Sequence, residues 1–404
     1  MSGPEKVLVP EKPVPAGDVP NNTVRVAREH GVHPFKQMAE ILGLRRKPSY
    51  FAAHEYFSSD AFHPSFSREE KRQFVGEYGS YQLNLRLSPI AIGGMRNLAN
   101  EKVLYENTLR GFGLRATETQ AVIGGPRRYG SLPLFTRIDE IVEFFIERAR
   151  YPLFLKPIQG SGSVGSARVE SIAEDGVITL HNGKTCKVQD LAAELIEDDR
   201  VGHMVQAAVI QHPAMTEIAG PALGSVRVVT VVENGVPAVL YALWKIPSPT
   251  AMSDNFWQSG SMIALVDAES GKIARVRLGA GINAKTIEAH PVSEKPFTDF
   301  TLPDWDKVRK LAIDCHAITP DLGVIGWDVG VSEDGPLIIE ANTNPHHHLY
   351  QLAAGRGILN ADFAPVFDRV AERSKDLIKK KLAHNKVVRR NMRSQRKRAI
   401  WETA

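Results

Sequence analysis

The most constraining feature of the sequence is a segment that places two carboxylates and an amide on one face of a predicted β-hairpin. Within residues 326–342, a three-residue loop at 333–335 joins two runs rich in Val, Ile and Leu, and its glycine suits a position with positive φ. Successive side chains alternate between the two faces of a strand, so pairing outward from this loop places Asp328 opposite Glu340. Asn342 then follows on the same face.

Two like charges that face each other across a strand pair destabilise a sheet unless a cation lies beside them. A bound divalent metal would remove this conflict, and carboxylate and amide oxygens are ligands that Mg²⁺ prefers. The sequence therefore predicts a magnesium site at Asp328, Glu340 and Asn342, with a solvent-exposed polar hairpin edge as the alternative. The other face of the hairpin is predicted to be apolar and to carry Ile325, Trp327, Val329, Leu337 and Ile339.

Composition indicates an ordinary globular protein of two or three domains, with 404 residues of which 43% are hydrophobic. Its two cysteines, Cys186 and Cys315, are far apart in the sequence, which favours buried thiols in a reducing compartment, so we expect a cytoplasmic protein. We see neither a signal peptide nor an apolar run approaching the roughly 20 residues that span a bilayer.

The positive charge is concentrated near the C-terminus. The chain carries +4 overall, but residues 375–398 hold eleven Lys or Arg against one acid, so the rest of the chain is acidic. A solvated or partner-facing helix is the favoured interpretation of this tail, and contact with an anionic membrane surface or RNA is the alternative.

The order of elements predicts an α+β chain. Residues 1–21 are rich in proline and are expected to be disordered, and residues 22–150 form a mainly helical N-terminal domain. Short strands follow, and residues 366–404 form a basic C-terminal helix. The predicted helices are 24–30, 34–42, 67–78, 97–111, 137–150, 191–197, 305–319 and 366–382. The predicted strands are 153–156, 167–170, 177–181, 204–210, 226–233, 238–244, 262–267 and 273–277.

A glycine loop at residues 160–165 follows Lys156 and contains a G-x-G-x-x-G pattern. A dinucleotide-binding fingerprint would open a helix here, but a strand follows, and the Gly-Lys-Ser/Thr of a P-loop is missing. The remaining interpretations are a flexible flap whose backbone N–H groups cover a triphosphate, with Lys156 meeting phosphate oxygens, or a plain Gly/Ser-rich turn.

The ordered set of a lysine, a glycine loop, a linker strand, an Asp strand and a Glu-x-Asn strand resembles the ATP-grasp superfamily. Residues 224–230, 253–256 and 325–329 are similar to the sugar-transfer-associated ATP-grasp branch, and the resemblance covers roughly residues 95–350. It implies an ATP-grasp fold, in which two α+β lobes clasp ATP. The implied lobes are a small lobe at 151–212 with the glycine loop and a large lobe at 213–365 with the metal site.

The resemblance also implies the nucleotide-binding residues. Lys102 and Lys156 would bind ATP phosphates from two sides, and two Mg²⁺ ions would accompany ATP. The backbone after Gln206 would bind adenine, and Gln211 or His212 would reach the ribose, although a buried strand that ends in polar residues explains those side chains equally well. The complete implied set for the nucleotide is Lys102, Lys156, Gly160, Ser161, Gly162, Ser163, Gly165, Gln206, Ala207, Ala208, Val209, Gln211 and His212.

Four further residues are candidates for catalysis. Arg227 lies within an apolar strand, where an unpaired charge is costly, so it is expected to face a polar cleft and contact the transferring phosphate. Lys245 would add to the same positive field, or lie at a strand end on the surface. By resemblance, Asp254 and Asn255 would shape the acceptor side, and ordinary turn chemistry is the alternative.

Three consecutive histidines, His346 to His348, follow the hairpin. Neighbours in an extended segment face opposite sides, so at most His346 and His348 act together. We expect a loop that borders the substrate pocket, with a histidine base as the alternative.

The resemblance implies an ATP-dependent ligase that activates a small-molecule or peptide carboxylate as an acyl-phosphate. An amine or similar nucleophile then displaces phosphate, and ADP and phosphate are released. The alternatives are an ATP-grasp kinase that phosphorylates a non-carboxylate acceptor and a non-catalytic nucleotide-binding scaffold.

Overall fold

The N-terminal region is helical and surrounds a small aromatic core. The computed structural model describes residues 6–8, 19–160, 162–197 and 202–402, with side chains described up to residue 393. Local sequence fixes several helix starts: Ser67 and Glu70 form a capping box, and Pro34 occupies a first-turn position. Tyr56, Phe57 and Phe74 are fully buried between the helices. The helices are α1 Val19–His30, α2 Pro34–Leu44, α3 Glu55–Ser58, α4 Arg68–Arg72, α5 Glu77–Leu87, α6 Arg96–Ala99 and α7 Lys102–Gly111.

The first sheet has seven strands and forms the small lobe, with strand order β2-β1-β7-β3-β4-β5-β6. Its strands are β1 Thr119–Ile123, β2 Leu134–Phe135, β3 Leu153–Pro157, β4 Ala167–Ile172, β5 Val177–Leu180, β6 Thr185–Lys187 and β7 His203–Ala207. Helix α8 Ile138–Glu143, a π-helix Phe144–Arg148 and helix α9 Val188–Glu197 cover one face with apolar side chains. The sheet begins before residue 151, because β1 pairs with β7, so the predicted boundary between the helical domain and the small lobe is too late.

The second sheet also has seven strands and forms the large lobe, with order β12-β11-β10-β9-β8-β13-β14. Its strands are β8 Val226–Glu233, β9 Val236–Ile246, β10 Met262–Val266, β11 Ile273–Leu278, β12 Lys285–Ile287, β13 Val324–Ser332 and β14 Gly335–Asn342. Helix α10 Pro213–Ala219 precedes this sheet, and a 3₁₀ turn, Gly281–Asn283, lies between β11 and β12.

Helices cover both faces of the second sheet. Helix α11 Trp305–Ile318 packs on one face, where Trp244 and Trp327 are fully buried. Helix α12 His348–Ala354, α5 and the start of helix α13 Ala364–Glu402 pack on the other face. Strands β8 and β13 are buried on both sides, so their nearly continuous apolar residues pack against the helices of both layers.

The β13–β14 hairpin reaches the predicted pairing by a different route. Its loop has two residues rather than three, because Ser332 pairs with Gly335, whose φ is +101°. A bulge at Ile339 shifts the register back by one residue, so that Asp328 lies opposite Glu340 as predicted. Between the loop and the bulge the faces are exchanged: Ile338, and neither Leu337 nor Ile339, packs in the large-lobe core. The prediction that Leu337 and Ile339 share the apolar face of Trp327 is therefore wrong.

The C-terminal end of the chain is the predicted helix, whereas the N-terminal end differs in part from the expectation. Most of the predicted disordered extension, at 1–5 and 9–18, lies outside the described residues, but Val7 and Leu8 are buried against the small lobe. Their backbone N–H groups donate to the Glu194 carboxylate at 2.8 and 3.2 Å. Helix α13 is largely exposed over 375–393, although Lys381 still donates to the Ala91 carbonyl at 2.6 Å. Within the described part of the chain, no helix is long and apolar enough to cross a membrane.

Candidate functional site

A cleft of about 2330 Å³ lies between the two sheets and is closed at one end by the helical N-terminal region. The small lobe contributes Lys156 and the described part of the glycine loop, and the large lobe contributes the hairpin with Asp328 and Glu340. Most of the residues predicted from sequence therefore line one space, although they come from segments more than 200 residues apart.

Two lysines converge on the small-lobe side of the cleft. Lys156 stands near the end of β3, is buried, and donates to the Ile339 carbonyl at 3.3 Å, and burial lowers the pKa of its ammonium group. Lys102, at the start of α7, donates to the Gly160 carbonyl at 2.9 Å and lies 3.9 Å from Glu340. Both cations are held by carbonyl groups and lie beside the hairpin.

The glycine loop adopts backbone conformations that favour glycine. Gly160, Gly162 and Gly165 have φ values of +131°, +72° and +74°. Gly160, Gly162 and Ser163 line the cleft, whereas Gly165 lies against Pro157, whose Cγ would be 2.9 Å from an added Cβ. Ser161 lies outside the described residues.

The predicted adenine linker follows β7, and Ala207, Ala208 and Val209 line the cleft there. The Gln206 side chain is almost fully buried and donates to the Glu106 carboxylate and, at 2.7 Å, to the Thr117 hydroxyl. Glu106 also accepts from the Thr119 N–H at 2.7 Å, so it fixes the end of β1 as well as Gln206. The sequence analysis missed Glu106, although its spacing of four residues from Lys102 on one helix was a usable signal.

Gln211 and His212, the residues predicted to reach the ribose, do not line the cleft. The Gln211 side chain accepts from the Gly224 N–H at 2.8 Å and donates to the Gly220 carbonyl at 2.9 Å. His212 caps helix α10 by accepting from the Ala214 N–H at 3.2 Å. Both side chains are used to turn the chain into α10, so the structure gives the predicted ribose contact no support.

A charge cluster of Arg227, Lys245, Asp254 and Asp328 lies on the large-lobe side. Arg227 faces Asp328 across β8 and β13 and binds it with two hydrogen bonds, Nε–Oδ1 at 2.5 Å and Nη2–Oδ2 at 3.0 Å. Lys245 Nζ lies 3.1 Å from Asp328 and 2.8 Å from Asp254. Burial alone would raise the pKa of Asp328, but Arg227 and Lys245 hold it well below its usual range. Lys245 is buried, so the alternative of a surface lysine is wrong.

Cationic side chains resolve the charge conflict that the hairpin raised. Arg227 and Lys245 neutralise Asp328, and Lys102 and Lys156 lie on the side of Glu340. Carboxylate and amide oxygens suit Mg²⁺, and the Glu340 and Asn342 side chains are partly exposed to the cleft, whereas both Asp328 oxygens are bonded to Arg227 and Lys245. Among the described residues, no group of three or more His, Cys, Asp or Glu side chains is arranged to hold a metal. The three residues remain the predicted ligands.

Asp254 and Asn255 connect parts of the site rather than forming a separate wall. Asp254 accepts from the Ser225 hydroxyl and from Lys245. Asn255 donates to the Gly162 carbonyl at 2.7 Å, which places it against the glycine loop.

His346 and His348 line the cleft, with ring centroids 6.0 Å apart, whereas His347 points into the protein. Its ring nitrogens are bonded to the Tyr241 hydroxyl and the Asn84 amide oxygen, both at 2.9 Å. Burial lowers the pKa of all three rings. Only the first and third histidines are therefore placed to meet a ligand.

Solved structures similar to the chain include ligases. They include the D-alanine-D-alanine ligase from Coxiella burnetii (14% identity, 72% of this chain, 62% of that chain, TM-score 0.42). Others are the D-alanine–D-alanine ligase from Bacillus anthracis complexed with ATP (15%, 73%, 71%, 0.37) and the L-amino acid ligase from Bacillus licheniformis (13%, 62%, 41%, 0.32). The alignment spans less than two thirds of the Coxiella ligase.

A comparison with curated protein sequences gave no match. The sequence does match the family described as sugar-transfer associated ATP-grasp, over residues 97–364. This range contains the lysines, the glycine loop, the charge cluster and the hairpin, and it is about two thirds of the chain. The chain belongs to the sugar-transfer associated ATP-grasp family.

Proposed function

We propose that the protein is an ATP-dependent, ADP-forming ligase that activates a carboxylate as an acyl-phosphate and joins it to an amine or similar nucleophile. The observation that carries the proposal is the convergence of Lys102, Lys156 and the glycine loop on the same cleft as the Asp328–Glu340 pair. Membership of the ATP-grasp family supports the use of ATP.

The size of the cleft supports a reaction with more than one substrate. A single small ligand typically occupies a pocket of about 300–1,000 Å³. The cleft of about 2330 Å³ leaves room beside a nucleotide for a carboxylate and for the molecule that receives it.

Each group has a defined part in the proposed reaction. The triphosphate would lie under the glycine loop, with Lys102 and Lys156 on its oxygens, and the adenine would lie against residues 207–209, all of which line the cleft. Mg²⁺ held by Asp328, Glu340 and Asn342 would neutralise charge on the phosphate oxygens. The substrate carboxylate attacks the γ-phosphorus and ADP leaves. The nucleophile then attacks the acyl carbon, the bond to phosphate breaks, and the amide forms.

The charge cluster fits the transfer step. Arg227 and Lys245 are buried cations beside the hairpin, and they are pre-positioned to stabilise negative charge that develops on the transferring phosphoryl group. Catalysis by this site is then mainly positioning and electrostatic.

The experiment is ADP release from MgATP, screened against a panel of carboxylates with and without amines, and with hydroxylamine as a trap. We expect one carboxylate to give a hydroxamate with hydroxylamine, and ADP release to need both a carboxylate and an amine. A stable phosphorylated product without an amide would contradict the ligase and identify a phosphotransferase. Glu340→Gln and Lys156→Met should lose this activity, whereas Lys379→Met on the exposed part of α13 should retain it.

A further inference from the structure

The loop between β9 and β10, residues 247–261, touches both lobes, and we call it the crossing loop. It belongs to the large lobe, but Met252 packs against the apolar core of the small lobe. Asn255, three residues further along the same loop, donates to the Gly162 carbonyl of the glycine loop at 2.7 Å. The crossing loop therefore makes an apolar contact and a polar contact across the cleft.

The crossing loop is also bound to the charge cluster. Asp254 accepts from Lys245 at 2.8 Å and from the Ser225 hydroxyl, and Lys245 reaches Asp328 at 3.1 Å. Polar contacts thus lead from the Gly162 carbonyl to Asn255, and from its sequence neighbour Asp254 through Lys245 to Asp328. Gly162 and Asp328 are on opposite sides of the cleft.

The Asn255 side chain uses both ends of its amide. The amide nitrogen donates to Gly162, and the amide oxygen accepts from the Trp257 N–H at 3.2 Å, which fixes the turn of the crossing loop. A carboxylate at this position would keep the acceptor and lose the donor. The two contacts can therefore be separated by one isosteric substitution.

The described part of the glycine loop is held from outside by Lys102, which donates to the Gly160 carbonyl at 2.9 Å, and by Asn255 at Gly162. Its three glycines adopt positive φ, where the chain has no side chain to pack, and residues 160 and 162 have open space around the Cβ position. The internal hydrogen bonds of the described part include those from the Ser166 N–H and hydroxyl to the Ser163 carbonyl. An external donor at Gly162 consequently contributes to where the loop lies.

We propose that Asn255 is a positioning residue that sets the glycine loop over the cleft in register with the charge cluster. Asp254 anchors the crossing loop to Lys245, and Asn255 carries that anchor to the backbone of the glycine loop. This assignment goes beyond the proposed ligase reaction, because it concerns a contact that the chain makes without any substrate. It also replaces the expectation that Asn255 shapes the acceptor side.

The test is hydrogen–deuterium exchange of the full-length protein, read for residues 162–166, in wild type, Asn255→Asp and Asn255→Ala. A typical hydrogen bond corresponds to about a 2- to 12-fold change in a local opening equilibrium, so exchange should rise by that factor in both variants. In Asn255→Asp, exchange within residues 255–260 should stay at the wild-type rate, because the acceptor for the Trp257 N–H is kept.

Gln258→Ala is the matched control. Gln258 lies in the same loop and donates to the Ser253 hydroxyl at 2.9 Å, within the crossing loop itself. In Gln258→Ala, we expect residues 162–166 of the glycine loop to exchange at the wild-type rate. Equal exchange in wild type and Asn255→Asp would overturn the proposal.

A second measurement separates this proposal from the proposed function. The Kd for MgATP should rise by about 2- to 12-fold in Asn255→Asp, since the glycine loop must then be ordered by the nucleotide. If wild type binds no MgATP, the ligase proposal fails, and the exchange experiment without nucleotide still decides the role of Asn255.

Discussion

Replacing Asp328 by asparagine should cost stability as well as activity, and this separates it from the other predicted metal ligands. Asp328 is buried and receives two hydrogen bonds from Arg227 and one from Lys245. The substitution keeps the shape of the side chain and removes the charge that both cations need. Lys245 retains Asp254 at 2.8 Å, whereas Arg227 loses the carboxylate opposite it.

The magnitude follows from burial. Removing one partner of a buried ion pair typically costs about 3–5 kcal/mol, because an uncompensated charge remains. Glu340 provides the comparison: its side chain is 27% exposed and its ion pair with Lys102 is long, at 3.9 Å. A pair of that kind contributes about 0–1 kcal/mol, so Glu340→Gln should leave the free energy of unfolding almost unchanged.

The assay is urea unfolding at pH 7, followed by circular dichroism, for wild type, Asp328→Asn, Glu340→Gln and the double variant Arg227→Met/Asp328→Asn. We expect a large loss of stability for Asp328→Asn, little loss for Glu340→Gln, and partial recovery in the double variant because the unpaired guanidinium is gone. Equal stability of Asp328→Asn and Glu340→Gln would contradict a stabilising buried ion pair between Arg227 and Asp328.

Two further predictions concern buried titratable groups. Burial lowers the pKa of His316 to about 4, and its ring nitrogens are bonded to Thr230 and the Leu322 carbonyl. Above about pH 6.5 the ring is neutral in both states, but below it only the unfolded chain takes up the proton. Stability should therefore fall between pH 6.5 and 4, by about 3 kcal/mol from this residue, and His316→Asn should remove that part of the pH dependence of urea unfolding, while the parts from His347 and His348, whose pKa burial lowers to about 3, should remain. Burial raises the pKa of Cys186 to about 11 and that of Cys315 still further, so a thiol-specific reagent at pH 8 should label neither quickly. Rapid native labelling of Cys315 would contradict its burial, and both thiols should react in urea.

Much of the architecture could be predicted because its signals are local. Short runs rich in apolar residues indicated β8 and most other strands of both sheets. A long stretch without glycine or proline indicated the terminal helix. Strands β1, β2, β6 and β12 were missed. They are short, and β1 pairs with β7, which lies about 80 residues further along the chain. No local pattern reports such a partner.

The sequence predicted which residues line the cleft better than it predicted which side chains contact one another. The Asp328–Glu340 pairing was predicted correctly, because an extra residue at Ile339 compensates for a loop that is one residue shorter than expected. The Arg227–Asp328 ion pair could not be read from the sequence, since it depends on the register between two strands separated by about 100 residues. The Asn255–Gly162 contact depends in the same way on how the two lobes approach each other.

The most direct test of the nucleotide site is calorimetric titration of the protein with ATP in the presence of Mg²⁺. Wild type should bind ATP, and Lys156→Met should weaken binding by at least about tenfold, because a charge-assisted contact to phosphate contributes about 1.5–3 kcal/mol. Lys379→Met, on the exposed part of α13, should bind as wild type does. Equal affinity in wild type and Lys156→Met, or no binding of ATP by wild type, would contradict the placement of the nucleotide between the two sheets.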